Sequence, residues 1–392
     1  SVISGGVSNR AIAINTNVAG GTLNLASGAG AGVLGGDSNT AEGANSNVSG
    51  GYSNIASGVG AAVSGGYSNI SFGARSNVSG GFQNTASGVG SVVSGGVSNL
   101  ANEVNATVSG GTLNQATGAG ASVSGGNNNK ASGVNSGVLN GTLNVASGAG
   151  SVISGGNFNR ATGVNSVVSG GDTNQSLAVN ATVSGGTVNL ASGTESVVSG
   201  GSTNTANGVN STVSGGDTNT AVGGASTVSG GSTNSAIGVH STVSGGIANN
   251  ANGTISTVSG GIGNSAKSYG EWVGGTYSTE YTAVGATNFV GIDRIFNVGN
   301  GIGTEVRSDA LTILKNGVAI LPSITNELID TGGAKVVVTK EYTELNYAKK
   351  NKTTAPLSKT DTGYAGEIRI TVDYIYTCVT TNSWVRTAVS AW

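Results

Sequence analysis

The sequence predicts an all-β chain built mainly as a parallel β-solenoid of 15-residue coils. Three observations carry this. Residues 1 to about 275 repeat one 15-residue unit about eighteen times without an insertion. The apolar residue of a V-S-G-G signature falls at Ile3, Val18, Val33 and Val48, then at every fifteenth residue to Val258 and Val273. Asn holds the ninth position of all eighteen copies, from Asn9 to Asn264. A repeat of this length is the mark of a stacked architecture and is read before anything else.

Counting positions so that this valine is position 3, the consensus is S-x-V-S-G-G-x-x-N-x-A-x-G-V-x. Positions 1 to 4 read as a short strand with its valine inward. Position 5 is Gly except at Asn140, and position 6 is Gly throughout, which suits a sharp turn. Positions 9 to 12 read as a second strand. Its small inward residue at position 11 is Ala except at Ser71 and Ser176. Position 13 is Gly in most copies and turns the chain again; Ala13, Glu103, Ala178 and Ser268 depart. Position 14, usually Val or Ala as in Val59, Val89, Val134 and Val209, reads as a third inward apolar group.

Stacked at the strand spacing of ~4.8 Å, such coils form a rod on the order of 80 Å long. Like residues then stand above like: Val63, Val78 and Val93 in one ladder, Asn69, Asn84 and Asn99 in another. The Asn column reads as structural, bonding nearby backbone after a turn and satisfying its amides from coil to coil. A one-residue slip would turn every strand over, so an unslipped period is itself evidence of order.

Composition bounds the function. Glycine is 71 of 392 residues and charged residues are 9%, against usual values near 7% and ~25%. A net charge of −2, with Lys and Arg scattered singly, gives no nucleic-acid or acidic-lipid footprint. No apolar run approaches the ~18 residues of a membrane span. One cysteine, Cys378, excludes an internal disulfide and a cysteine zinc site. The chain starts at Ser1 with the repeat already running, and reads as the ordered part of a longer polypeptide.

The coil is thin. Burying one valine contributes roughly 1.5–3 kcal/mol, while ordering 15 residues costs on the order of 15–30 kcal/mol of backbone entropy. Chains packed about a common axis bury more, so homo-oligomerisation is expected. The half-repeats S-x-V-x-G and x-x-A-x-G resemble the head repeats of trimeric autotransporter adhesins. Those heads are left-handed parallel β-rolls in which three chains intertwine about one axis. Their unit is usually 14 residues around S-V-A-I-G and A-x-G; here it is 15, with G-G for G. The resemblance covers about 1–275.

Composition changes near residue 270: residues 1–270 hold eleven Asp, Glu, Lys or Arg, and the last 122 hold twenty-three. Trp272 and Tyr277 read as a cap on the rod. A connector is expected over 276–330 and a β-rich tip over 331–392. Strand signals lie at Asp293–Val298 and Ala310–Leu314, the latter followed by the hairpin turn Lys315-Asn316-Gly317. Gly366 to Val389 reads as three antiparallel strands turning near Asp373 and at Thr381-Asn382-Ser383. A short helix is expected over 340–352. The stretch Phe296–Gly317 resembles segments of bacteriophage tail fibres that link a β-roll shaft to a terminal domain. Leu321–Asn326, Ala334–Tyr342 and the closing strands are also similar to fibre sequences.

No catalytic or metal constellation stands out, and no cofactor is implied. His240 is the only histidine and occupies a turn position; Cys378 reads as a small core residue. Asp37, Glu42, Glu103, Asp172, Glu195 and Asp217 are isolated along the rod, without the pairing a glycosidase needs. The resulting expectation is a non-enzymatic, trimeric, tail-fibre-like protein of the virion tail. It would bind a host-surface glycan or protein, with other tail or fibre proteins as partners upstream. Tyr342, Tyr347 and Tyr364 are the receptor-contact candidates, whereas Tyr374, Tyr376 and Trp384 read as packing. A bacterial surface adhesin is the alternative. An ice-binding solenoid is a further one, suggested by Thr212, Thr227, Thr242 and Thr257 at position 2, although each of these coils carries one Thr there and earlier copies carry Val, Asn or Gly.

Overall fold

The computed structural model describes residues 1–322 and, beyond them, 355–356, 358–362, 367–371 and 374–388. Each coil contributes two strands of two residues, beginning with β1 (Val2–Ile3) and β2 (Arg10–Ala11) and ending with β35 (Thr257–Val258) and β36 (Ser265–Ala266). Odd-numbered strands hold positions 2 and 3 and stack in parallel as sheet A. Even-numbered strands hold positions 10 and 11 and stack in parallel as sheet B. Pairing is fifteen residues apart throughout, as in Val48 with Val63 and Ala56 with Ser71. Sheet B runs from β2 against β4 to β34 against β36, an open ladder. A third line of contact joins the position-7 residues, from Val7 with Thr22 to Ile247 with Ile262.

The coil from Ser46 to Gly60 shows which side chains fill the interior. Ser46, Val48, Asn54, Ala56 and Gly58 are buried, and the residues between them face outward or sit at corners. The core therefore consists of positions 1, 3, 9, 11 and 13, all of them small. Position 14 is not among them: Val59 is 59% exposed and Val134 54%. The reason is the residue that follows. Position 15 takes a left-handed conformation, as at Asn45 and Asn135 with φ of 57° and 54°, which makes 14–15 a corner. Position 1 fills the space instead, with Ser91 or Ala121 fully buried.

Two glycines are tightly placed for different reasons, the first by its φ and the second by a contact that Ala13, Glu103, Ala178 and Ser268 show other coils can relax. Gly66 has φ of +91°, and a Cβ there would lie 2.3 Å from the Gly81 carbonyl of the next coil. Gly58 has no positive φ, but its Cβ would lie 2.1 Å from the Gly73 carbonyl. Position 13 is thus a close approach between coils. Position 5 has no such constraint: nothing lies within 4 Å of a Cβ at Gly125, and Asn140 occupies that place one coil on.

At the C-terminal end β37 (Trp272–Thr276) pairs in parallel with β35 and with β38 (Arg294–Asn300). Sheet A then closes with antiparallel β39 (Asp309–Leu314) and β40 (Ala319–Ile320). The expected turn is present: Leu314 N–H donates to Val318 O at 2.8 Å across Lys315-Asn316-Gly317. Trp272 stacks on Phe296 with centroids 4.5 Å apart and planes 6° apart, continuing the outward position-2 column of sheet A from β37 onto β38. The tip contains an antiparallel sheet of β41 (Ile368–Ile370), β42 (Tyr374–Thr380) and β43 (Ser383–Ala388). The helix expected over 340–352 lies outside the described residues.

Candidate functional site

The interior of the rod, from Thr16 to Ser268, is lined by Val, Ile, Ala, Ser, Thr and Asn side chains. Its most polar element, the Asn column, is engaged with backbone. Asn84 Nδ2 donates to Gly80 O of its own coil and to Gly96 O of the next, each at 2.9 Å. Its Oδ1 accepts the backbone N–H of Asn99 at 3.0 Å, and Asn69 does the same for Asn84. Each amide thus clamps a Gly-Gly turn and caps the next rung. The stacked amide-to-amide ladder expected from the sequence is not the main pattern; it occurs at Asn54 to Asn39, 3.1 Å. The carbonyls that each Nδ2 reaches belong to positions 5 and 6, glycines except at Asn140, whose carbonyl takes Asn144 Nδ2 at 3.1 Å.

The outward residues are where recognition can occur. Tyr52, Tyr67 and Phe82 at position 7 form a stacked ladder, with centroids 5.0 and 5.1 Å apart and planes 14° apart. Its rings cover one another's faces and show their edges to solvent, so the ladder braces three coils rather than offering a platform for a sugar ring. Four threonines, Thr212, Thr227, Thr242 and Thr257, align in register on sheet A. Exposed Ser214, Ser229 and Ser244 stand two residues on from the first three. This second column of hydroxyls escaped the sequence reading, which counted only the threonines. The signal was the S of V-S-G-G, outward because V is inward.

The cap holds the densest polar cluster. Glu271 is fully buried at position 1, where other coils carry mostly Ser or Ala. Its Oε2 accepts from Lys267 N–H at 2.7 Å, Ser268 N–H at 2.9 Å and the Tyr281 hydroxyl at 2.8 Å. Burial raises its pKa above the ordinary carboxylate value, against those bonds and the Arg294 charge. Burial and the Glu271 charge likewise push the Tyr281 hydroxyl upward. Desolvation lowers the Lys315 ammonium, whose Nζ donates to Ser268 Oγ at 2.7 Å. Asp309 joins Arg294 at 3.3 Å, Asn297 at 2.8 Å and Thr279. The groups tie β37, β38 and β39 together, with Ser278 N–H taking the Asn264 Oδ1 that ends the ladder, 3.2 Å.

In the tip, Arg369 binds Glu367 at 3.0 Å and Asp361 at 3.3 Å and lies over the Trp384 ring at 4.3 Å. Cys378 is buried in β42. Tyr342, Tyr347 and Tyr364 lie outside the described residues. His240 sits exposed at a left-handed corner, φ 56°. Among the described residues no group of three or more His, Cys, Asp or Glu is placed to hold a metal ion, and no helix is long and apolar enough to cross a membrane. No family model and no curated protein matches this chain.

Proposed function

We propose that the chain is the shaft and tip of a trimeric, tail-fibre-like protein that reaches to a cell surface and binds a receptor or glycan there. The observation that carries this reading is the unbroken stack of eighteen coils closed by a cap at one end. A stack of that kind is a spacer of fixed length, and its small, engaged interior leaves recognition to the outer columns and the tip. The reading is non-enzymatic and needs no cofactor. It places the protein on a virion tail, with the surface of a bacterium as the alternative setting.

Electron microscopy of the particle bearing this chain, with an antibody against the rod, tests the setting. Labelled rods projecting from a tail are expected; label on the cell envelope supports the alternative. Loss of cell binding on removal of residues 323–392, with the rod intact by circular dichroism, is expected if the tip makes the contact. Unchanged binding would overturn that assignment.

The in-register Thr and Ser columns on sheet A favour a second reading, an ice-binding face. Absence of thermal hysteresis in the purified chain would remove it.

A further inference from the structure

We infer that the outer face of sheet A is the surface through which copies of this chain join side by side. The inference rests on the trimeric reading above and assigns its interface. The two sheets of the coil are equivalent in form. Each presents two outward columns: positions 2 and 4 on sheet A, positions 10 and 12 on sheet B. Their charge content differs. Of the eleven Asp, Glu, Lys and Arg in residues 1–270, sheet B carries five in its outward columns: Arg10, Glu42, Lys130, Arg160 and Lys267. The outward columns of sheet A carry none.

Folding does not impose that difference. Lys130 and Arg160 show that a long cation fits the outward place of a two-residue strand, exposed beside a buried alanine. Position 2 stands in the same relation to its buried valine, yet it holds Val, Thr, Asn, Ala, Ser or Gly until Trp272. Charge is therefore kept off sheet A for a reason outside the single coil. A face meant for water has no such need, while a face that will be covered does, because a buried charge without a partner is expensive. The corner leading into sheet A is mixed: position 14 is uncharged in every coil, with Val59, Val89 and Val134 exposed, while position 15 carries Arg75 and Glu195, so the charge-free surface is the outward columns of sheet A and position 14.

The occupant that fits is another copy of the chain. The face is small-residued along eighteen rungs, and only a partner with the same rise per coil stays in step with it over that length. Rotational symmetry about the rod direction keeps equal coils at equal heights, so each residue of the face meets the face of a neighbour at its own level.

The test places three lysines on one sheet or the other. Ser214→Lys, Ser229→Lys and Ser244→Lys charge sheet A at exposed positions that fill no core. Asn207→Lys, Val222→Lys and Ile237→Lys charge sheet B at neighbouring heights. Sedimentation equilibrium of the full chain is expected to give a multiple of the chain mass for the unaltered protein and for the sheet B variant. The sheet A variant is expected to dissociate at least 100-fold more readily, with its β circular dichroism unchanged. A second measurement guards against misfolding: Thr242→Cys is expected to cross-link to its own copy through a bismaleimide, and Ile237→Cys is not. A monomeric unaltered chain would overturn the inference and leave the rod and surface-binding reading standing. Equal behaviour of the two lysine variants, or cross-linking at Ile237→Cys alone, would overturn it as well.

Discussion

Replacing Asn129 with alanine tests what holds one coil to the next. Asn129 is fully buried in mid-rod. Its Nδ2 donates to Gly125 O at 2.9 Å and Gly141 O at 2.8 Å, and its Oδ1 accepts Asn144 N–H at 3.0 Å. Gly141 O keeps a second partner, the Asn127 N–H at 2.9 Å. Alanine therefore strands the buried Asn144 N–H and strips the half-buried Gly125 carbonyl of its amide partner. At about 1–3 kcal/mol for the buried group, the expected loss is about 1–3 kcal/mol or somewhat more. The control is Ser136→Ala one coil on. The Ser136 hydroxyl is buried with no hydrogen-bond partner, and Ala106 and Ala121 already hold the same position. Its effect should stay within about 0.5 kcal/mol. Urea unfolding followed by circular dichroism gives both values, and hydrogen exchange of the Asn144 amide localises the first. A loss below about 1 kcal/mol for Asn129→Ala, or an Asn144 amide no less protected than before, would refute the clamp.

Gly126→Ala should prevent stacking or cost about 3 kcal/mol or more, because φ is +90° and the new Cβ lies 2.2 Å from Gly141 O; Gly125→Asn, which repeats the residue found at Asn140, should fold with nearly unchanged thermal midpoint. Val188 holds a left-handed φ of 56°, a conformation that a β-branched side chain resists. Val188→Asn should therefore stabilise by about 1 kcal/mol, read as a higher urea midpoint. Glu271 has a pKa raised by burial, so its contribution to stability is full below the unfolded value of 4.5 and is lost as pH rises through the higher folded value. Hydrogen exchange in β37 and β38 should accordingly quicken over that interval, and Glu271→Gln should flatten the dependence.

Much of the coil was legible because side-chain period and turn chemistry are local. Val48 and Ala56 read as inward and are buried, Val48 because its neighbours Asn47 and Ser49 are polar and Ala56 because a small residue recurs at its position while position 10 beside it varies. Val59 misled because it is as apolar as Val48 yet precedes a left-handed corner. Asn or Gly at most fifteenth positions carried that information, since both favour positive φ. Ser91 was missed because serine is rarely read as core. The clue was that position 1 alternates mainly between Ser and Ala, a restriction of size rather than polarity. Gly58 was read as a turn, but its constraint is a carbonyl of the next coil, which no single coil reveals. Glu271 was illegible as a buried acid because its partners Tyr281 and Arg294 arrive from chain beyond the repeat.

Each coil touches only the coils above and below it, so the length of the rod is separable from its stability. Deleting residues 121–135 removes one whole coil, from position 1 to position 15. Gly120 then joins Ser136, and Val108, Asn114 and Ala116 come under Val138, Asn144 and Ala146, the same partners in kind that they lose. Val108 pairs with Val123 and Val123 with Val138 in the intact rod, so the new pairing repeats an existing one. The shortened chain should fold with an unchanged circular dichroism spectrum, its rod shorter by ~4.8 Å. Deleting residues 122–135 instead keeps Ala121 and moves every following residue one place. Gly137 would take the inward place of the valine and Val138 would face water, and the Asn144 amide would leave the column. That chain, longer by one residue, should lose the cooperative unfolding of the other. Equal stability for the two deletions would mean that stacking is held by something other than the ladders of positions 1, 3, 9, 11 and 13.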